Sequence, residues 1–167
     1  MRDEQITLRA LEPEDLEVLY VVENDPRLWN VGLSNTLYSH FALKEFIANT
    51  TNDIYTDKQL RLVVEADGQV AGILDIMAFE PEHRRAELGI VILEKYRGRG
   101  IAAKAVRLLL DYCRSKVHLH QLYSWVPADN EPSIKLFRNL GFIPTIVKDW
   151  LFDGEDFKDA VFMQLFL

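Results

Sequence analysis

The segment with the clearest chemical character is the run Arg97-Gly98-Arg99-Gly100-Ile101-Ala102, which lies between a predicted strand and a strongly periodic helix. Its two glycines let backbone N–H groups approach a ligand with no Cβ in the way. Those N–H groups open the helix, where unpaired donors and the helix dipole favour an anion. Lys95 and Lys104, together with the two arginines, make this point of an acidic chain basic. The pattern therefore indicates binding of a phosphate-bearing cofactor.

Two other phosphate-binding motifs do not fit this segment. No Gly-Lys-Ser/Thr follows it, so it is not a Walker loop, and it lacks the six-residue dinucleotide fingerprint. The competing interpretation is a glycine-rich turn whose basic side chains only meet solvent. Motifs elsewhere in the chain favour the cofactor.

Several stretches, in chain order, resemble the GNAT acetyltransferase superfamily, and together they span nearly the whole sequence. Residues 97–102 resemble its Arg/Gln-x-x-Gly-x-Gly/Ala signature, which cradles the pyrophosphate of coenzyme A. The others resemble its opening strand and helix, third strand, fourth strand and closing motif: Leu8-Arg9 with Leu16, residues 70–72, residues 87–90, and Asn130-x-x-Ser133-Ile134 through residues 140–142. Residues 83–87 (HRRAE) and the closing hairpin look closest to the spermidine N-acetyltransferases and the related ribosomal-protein and amino-terminal acetyltransferases.

The resemblance implies that acetyl-CoA is the co-substrate, without a metal, and that its acetyl group goes to a primary amine. The backbone of Ile90, Val91 and Ile92 would run beside the acetyl-pantetheine arm, with one N–H as oxyanion donor. Backbone amides of Gly98 to Ala102 would hold the pyrophosphate, and Arg97 would belong to the same cofactor-binding segment. Asn130, with Ser133 after it, would contact or position the cofactor. The residues themselves leave plainer readings open: residues 90–92 as core strand, and Asn130 as a helix N-cap.

Glu87 is the candidate general base. An alkylammonium with a pKa near 10.4 must lose a proton before it attacks a thioester, and a carboxylate in the site can accept it. The alternative is that Glu87 forms an ion pair with Arg84 or Arg85, and Glu80 and His83 are weaker candidates for the base.

The tyrosine that serves as general acid in many members of this family is replaced here. Phe137 stands at the matching place and cannot donate a proton, so we expect it to pack in the core. The thiolate could leave unassisted, or water or Ser133 could help. This substitution keeps open a second function, a coenzyme A-binding sensor or scaffold without turnover.

Other reactive residue types are expected to be structural. Cys113 lies on the apolar stripe of its helix, and His118 and His120 lack further ligands for a metal. The tryptophans are more often core or interface residues. An acidic set near the C-terminus could attract a cationic substrate but more often meets solvent: Asp149, Asp153, Glu155, Asp156 and Asp159.

The order of predicted elements is β-α-α-β-β-β-α-β-α-β-β, which indicates an α/β (α+β) fold with a mixed, mostly antiparallel sheet of about seven strands and helices on both faces. The firmest signals are the Asp67-Gly68 hairpin between residues 60–66 and 69–79, and the helix predicted over residues 101–115. A helix capped by Ser39 is predicted to 49, with Phe41, Leu43, Phe46 and Ile47 as apolar positions. Strands are predicted at 6–9, 86–93, 121–126, 145–152 and 157–166, and helices from 12 and over 131–140.

Composition narrows the class of function. The 167 residues carry a net charge of −7, whereas proteins that bind nucleic acid are usually basic. One cysteine, a charged N-terminus and no apolar run of about 20 residues predict a single cytoplasmic domain, residues 1–167, with no membrane partner.

The amine acceptor is the least determined feature. A small molecule or a protein amino terminus would both serve. Spermidine-type relatives place acidic residues around their first two helices, whereas residues 34–41 carry none and Glu45 stands nearly alone. This argues against a polyamine substrate or effector. The apolar strand from Ala160 to Leu167 could join subunits in a homo-oligomer.

Overall fold

A computed structural model describes residues 3–29 and 36–167, but not the Trp29 side chain. Its seven strands form one sheet in the order β1-β2-β3-β4-β5-β7-β6. Every neighbouring pair is antiparallel except β4 with β5. The strands are β1 Ile6–Ala10, β2 Leu60–Ala66, β3 Gln69–Glu80, β4 Arg85–Ile92, β5 Gln121–Pro127, β6 Ile143–Phe152 and β7 Phe157–Phe166. The predicted mixed sheet with helices on both faces is confirmed.

Two helices begin at capping residues that the sequence suggested, whereas the helix predicted from residue 12 begins as a 3-10 turn, Pro13–Asp15, and becomes α-helical only at Leu16. Ser39 accepts a hydrogen bond from Ala42 N at 3.0 Å and starts α3, and Asn130 accepts one from Ser133 N at 3.3 Å and starts α6. The helices are α1 Leu16–Asn24, α2 Pro26–Trp29, α3 His40–Asn49, α4 Ile54–Asp57, α5 Ile101–Tyr112 and α6 Glu131–Asn139. The short α4 was not predicted, and α5 passes into a π-helical turn, Cys113–Val117, rather than continuing to residue 115 as an α-helix. None of the helices in residues 3–29 and 36–167 is long and apolar enough to span a bilayer.

Alternation along the strands divides the core between the two faces of the sheet. On β3, Ile73 belongs to a core cluster that includes residues of α1 and α3, whereas Leu74 belongs to a cluster that includes residues of α5 and α6. We call these the α1/α3 face and the α5/α6 face. Each fully buried side chain of this size contributes about 1.5–3 kcal/mol to stability.

Of the four apolar positions predicted for the helix capped by Ser39, Phe41 does not lie on the buried face. Phe41 is 69% exposed, whereas Leu43 and Ile47 are buried. Leu43 and Ile47 are one helical turn apart and share a face with Phe46, but Phe41 lies two residues before Leu43 and so points about 200° away.

Candidate active site

The parallel strands β4 and β5 separate after three paired positions and leave a fork in the sheet. Residues 85–87 of β4 pair with residues 121–123 of β5. Beyond this point β4 continues to Ile92 and β5 to Pro127, but the two strands no longer pair with each other. A cavity of about 360 Å³ occupies the fork. It is lined from both faces of the sheet, so a ligand on one face can meet a ligand on the other.

The unpaired edge of β4 offers backbone groups to this cavity. Residues 90–92 pair with β3 on their other side, and Ile90 and Val91 line the cavity. All three residues are half-buried. A free strand edge presents N–H and C=O groups at regular spacing, which suits an extended amide-containing ligand.

The glycine turn follows β4 and leads into α5. Gly98 and Gly100 have φ values of +74° and +75°, which favour glycine, and nothing lies within 4 Å of where their Cβ atoms would be. The first hydrogen bond of α5 runs from Lys104 N to Gly100 O at 3.2 Å. The N–H groups of the residues just before Lys104 therefore have no partner within the helix. The backbone here is an open, donor-rich cradle that fits an anion.

The basic side chains around the cradle have protein partners. Arg99 pairs with Glu4 and lies 5.1 Å from the centre of the Tyr96 ring, Lys104 pairs with Asp3, and Arg97 donates to Ile92 O at 2.9 Å. Basic side chains therefore lie around the turn, as the sequence indicates, and the carboxylates of Glu4 and Asp3 offset the charge of two of them.

Glu87 lies at the last paired position of the fork, on the α1/α3 face. It stands between Met77 on β3 and Tyr123 on β5, and lines the cavity. Burial raises the pKa of the Glu87 carboxyl above its ordinary value. The Glu87 carboxylate makes no ion pair with any described residue.

The alternative pairing of Glu87 with an arginine is not what the structure shows. Arg85 donates to Glu80 at 2.9 and 3.1 Å, and Arg84 donates to His118 O at 2.8 Å. The Arg85 hydrogen bond holds the pKa of the Glu80 carboxyl below its usual value. Glu80 is thus a weaker acceptor of protons than Glu87.

The cavity contains a second acidic group that was not identified from the sequence. Arg61 on β2 hydrogen-bonds Asp75 on β3 at 2.6 and 3.0 Å and pairs with Glu23 on α1 at 2.7 Å. Asp75 and Arg61 lie opposite each other on the adjacent strands β3 and β2. Glu23 comes from α1 and reaches them only through tertiary packing. Of the charged residues that the structure places around the cavity, three are carboxylates and one is a guanidinium, so the lining carries a net negative charge.

One aromatic residue, Trp125, lines the cavity on the side of the β6–β7 hairpin. Trp125 stacks on Trp150 at 4.7 Å, and Leu151 lines the cavity beside them. An irregularity in β6 between Val147 and Leu151 places these residues, and Asp159 accepts from Asp149 N at 3.1 Å within it. No periodic pattern in the sequence marks such a bulge.

The remaining predicted residues lie on α6. Asn130 is its N-cap, as the plainer reading has it, and Ser133 and Phe137 line the cavity. Phe137 is 3% exposed and contacts Phe142 edge to face, which confirms that it packs in the core.

Cys113 is buried, and burial raises the pKa of its thiol to about 12. In the described part of the chain no cluster of His, Cys, Asp and Glu could hold a metal.

Comparisons with known proteins agree with this geometry. The family model for the acetyltransferase (GNAT) domain matches residues 5–143. The spermidine N(1)-acetyltransferase of Escherichia coli K12 is 29% identical over 96% of this chain and 86% of its own. An L-amino acid N-acetyltransferase of the same organism is 26% identical over 95% and 96%.

Solved structures extend the likeness to three dimensions. The spermidine N-acetyltransferase of Vibrio cholerae, crystallised with CoA and spermine, superposes with a TM-score of 0.87 at 26% identity, over 97% of this chain and 95% of that one. A dodecameric structure of the same enzyme gives a TM-score of 0.81, with 97% and 94% covered. The forked sheet, the anion cradle and these likenesses together establish that the chain belongs to the GNAT acetyltransferase family and is an acetyl-CoA-dependent N-acetyltransferase.

Proposed function

We propose that the acceptor is an aliphatic polyamine of the spermidine class. The observation that carries this proposal is the excess of carboxylates around the cavity. Glu87 lies at the fork, and the Arg61 guanidinium, with two carboxylate partners, neutralises only part of the charge of Glu23 and Asp75. A polyamine has a reacting nitrogen for the fork and further ammonium groups for the outer carboxylates.

The same arrangement weighs against an acceptor that carries a carboxylate. The one arginine that the structure shows in the lining is Arg61, and both of its sides are occupied by Asp75 and Glu23. A free amino acid would bring its own carboxylate to a negative surface without a free cation to bind it. Polyamines therefore fit this cavity better than amino acids.

The sequence-based objection to a polyamine rested on residues 34–41. Residues 34 and 35 lie outside the described part of the chain. The cavity's acidic residues come instead from α1, β3 and β4, so the missing acids in that segment do not count against a polyamine acceptor. The lack of acidic residues in this segment still argues against a separate site for a polyamine effector.

On the donor side we infer that the amides of residues 97–102 hold the pyrophosphate of acetyl-CoA and that the backbone of residues 90–92 runs beside its arm. The cradle and the free edge of β4 support these roles. Ser133 lines the cavity and would lie beside this arm, and Asn130, which caps α6 by accepting a hydrogen bond from Ser133 N, would hold Ser133 in position. Glu87 would accept, directly or through water, the proton that the acceptor's ammonium must lose before the neutral amine attacks the thioester.

An acceptor panel tests the proposal. Spermidine, an L-amino acid and a peptide amino terminus are compared at fixed acetyl-CoA, with Glu23→Gln beside the wild type. We expect spermidine to have the highest kcat/KM, and Glu23→Gln to raise the KM for spermidine about tenfold, the factor that corresponds to roughly 1.4 kcal/mol. The kcat should change little, because Glu23 belongs to α1 and pairs with Arg61, and is not part of the strands that form the fork.

The matched control is Glu17→Gln, on the same helix but exposed and outside the cavity lining. It should leave the KM for spermidine unchanged. A higher kcat/KM for the amino acid or the peptide than for spermidine would contradict the polyamine proposal.

A second variant separates turnover from binding alone. Because Phe137 borders the cavity, Phe137→Tyr adds a hydroxyl near the departing sulfur. We expect measurable turnover by the wild type, and turnover by Phe137→Tyr that equals or exceeds it. General-acid catalysis limits the gain to roughly 10²–10⁴-fold. Release of free thiol from acetyl-CoA measures both. A wild type inert toward every amine, but restored by tyrosine, would favour a binding module descended from an enzyme.

The chain also has a surface suited to self-association. Apolar side chains of the β6–β7 hairpin are exposed: Ile143, Ile146, Trp150, Phe152, Phe157 and Phe166. We propose that this hairpin contributes to a homo-oligomer, in keeping with the dodecameric relative. Analytical ultracentrifugation of the purified protein would measure the state directly.

A further inference from the structure

We infer that Ser124 is a further catalytic residue: its hydroxyl donates a hydrogen bond to the sulfur of coenzyme A as the thiolate leaves. The inference deepens the proposed function, since it supplies the leaving-group contact that Phe137 cannot make. Ser124 is 5% exposed, and it is one of two buried polar residues that the structure describes.

The Ser124 hydroxyl lacks a partner in the protein. The other buried polar residue, Asp15, pairs with Arg9 at 2.8 Å, but the Ser124 hydroxyl has no hydrogen bond to any residue in the described ranges. An unpaired buried hydroxyl costs stability, so nearly all of them are bonded in folded proteins. Ser124 lines the cavity, which means that its missing partner can be a bound ligand.

The position of Ser124 in the sheet identifies that ligand. Tyr123 is the last residue of β5 that pairs with β4, so Ser124 is the first residue beyond the fork. The phosphate cradle follows the far end of β4, and an arm laid along the free β4 edge reaches the fork with its thioester end. The reacting carbonyl must also lie at the fork, because Glu87 is there.

Ser124 lies on the side suited to the leaving group. Strand alternation places it with Leu122 and Val126 on the α5/α6 face, the face of Phe137 and Ser133. Glu87 and Tyr123 point to the opposite, α1/α3 face. The proton acceptor for the amine and the donor for the sulfur thus lie on opposite faces of one fork.

The step balances without another reactant. The amine nitrogen forms a bond to the carbonyl carbon, and the carbon–sulfur bond breaks with its electron pair going to sulfur. The proton on nitrogen passes to the Glu87 carboxylate and then to water. Ser124 keeps its proton, because an alkoxide is far more basic than a thiolate with a pKa near 8.5. Its contribution is a charge-assisted hydrogen bond that strengthens as sulfur becomes negative.

The test is a titration of the thiol of CoA bound to the enzyme, followed by the ultraviolet absorbance of the thiolate, and it needs no acceptor. In Ser124→Ala we expect the pKa of the bound thiol to rise by about one unit, and kcat with acetyl-CoA to fall about tenfold. The affinity for acetyl-CoA, measured by calorimetry, should be nearly unchanged. Phe137→Tyr in the Ser124→Ala background should recover part of the lost kcat.

Ser124→Thr and Ser124→Val form a matched pair that controls for packing. They have nearly the same shape but differ in the hydroxyl, so the threonine variant should resemble the wild type and the valine variant should resemble Ser124→Ala. Equal thiol pKa values in this pair, or a loss of kcat without a change in thiol pKa, would overturn the inference. If spermidine is not acetylated but the thiol pKa still shifts, only the proposed acceptor fails.

Discussion

Gly100→Val is expected to lower the affinity for acetyl-CoA by roughly 10²-fold or more. Gly100 has a φ of +75°, a region that a β-branched residue hardly adopts, so the turn must change its backbone path. The change moves N–H donors at the start of α5 away from the pyrophosphate, and each hydrogen bond to a charged group contributes about 1.5–3 kcal/mol. Isothermal titration calorimetry with acetyl-CoA measures the loss.

Two comparisons show whether the backbone carries the binding. Arg99→Ala should weaken binding only severalfold, because Arg99 is exposed and already pairs with Glu4. Gly68→Val introduces the same strain at a φ of +76° in the β2–β3 turn, which also has open space around it. Gly68→Val should lower thermal stability but keep the affinity. A folded Gly100→Val that binds as tightly as the wild type would remove the main support for this cradle.

Glu87→Gln is expected to lower kcat by roughly 10²–10⁴-fold, the range usual for loss of a general base. The amide keeps the shape of the side chain but cannot take the ammonium proton. The dissociation constant for acetyl-CoA should stay nearly the same, because the cradle lies at the other end of β4. Steady-state kinetics with spermidine and calorimetry with acetyl-CoA separate the two effects.

The pH profile follows from the direction of the pKa shift. Because burial raises the pKa of Glu87, kcat/KM of the wild type should begin to fall, as the pH is lowered, at a pH above the pKa of an ordinary glutamate. Glu87→Gln should lose this acid limb of the profile. Glu80→Gln is the comparison, since Glu80 is paired with Arg85 and lies outside the lining; it should retain turnover. Full activity in Glu87→Gln at every pH would assign the proton transfer to water or another group.

Stability provides an independent check on Glu87→Gln. A carboxyl whose folded-state pKa is raised contributes stability below its unfolded pKa, and that contribution is lost as the pH rises through the folded-state value. At neutral pH the ionised Glu87 therefore disfavours the folded state slightly. Glu87→Gln should melt at the same temperature as the wild type or higher, so that a loss of activity cannot be attributed to unfolding.

Local elements of this protein could be read from the sequence because local physical rules define them. The Asp67-Gly68 turn, the Ser39 cap and the apolar stripe of α5 each depend on residues within a few positions of one another. The same holds for residues 97–102, where the glycine spacing and the following helix are adjacent in the chain. A family resemblance in motif order then extended these local signals to a fold and a reaction class.

The tertiary structure alone decided which residues share the cavity. Periodicity places Ser124 and Glu87 on strands, but the point at which β4 and β5 separate depends on the packing of the helices and on the β6–β7 hairpin against β5. Glu23 joins Arg61 and Asp75 only because α1 packs across the sheet. The unpaired Ser124 hydroxyl and the acidic cavity lining are long-range results of strand register, and a single sequence carries no local signal for register between distant segments.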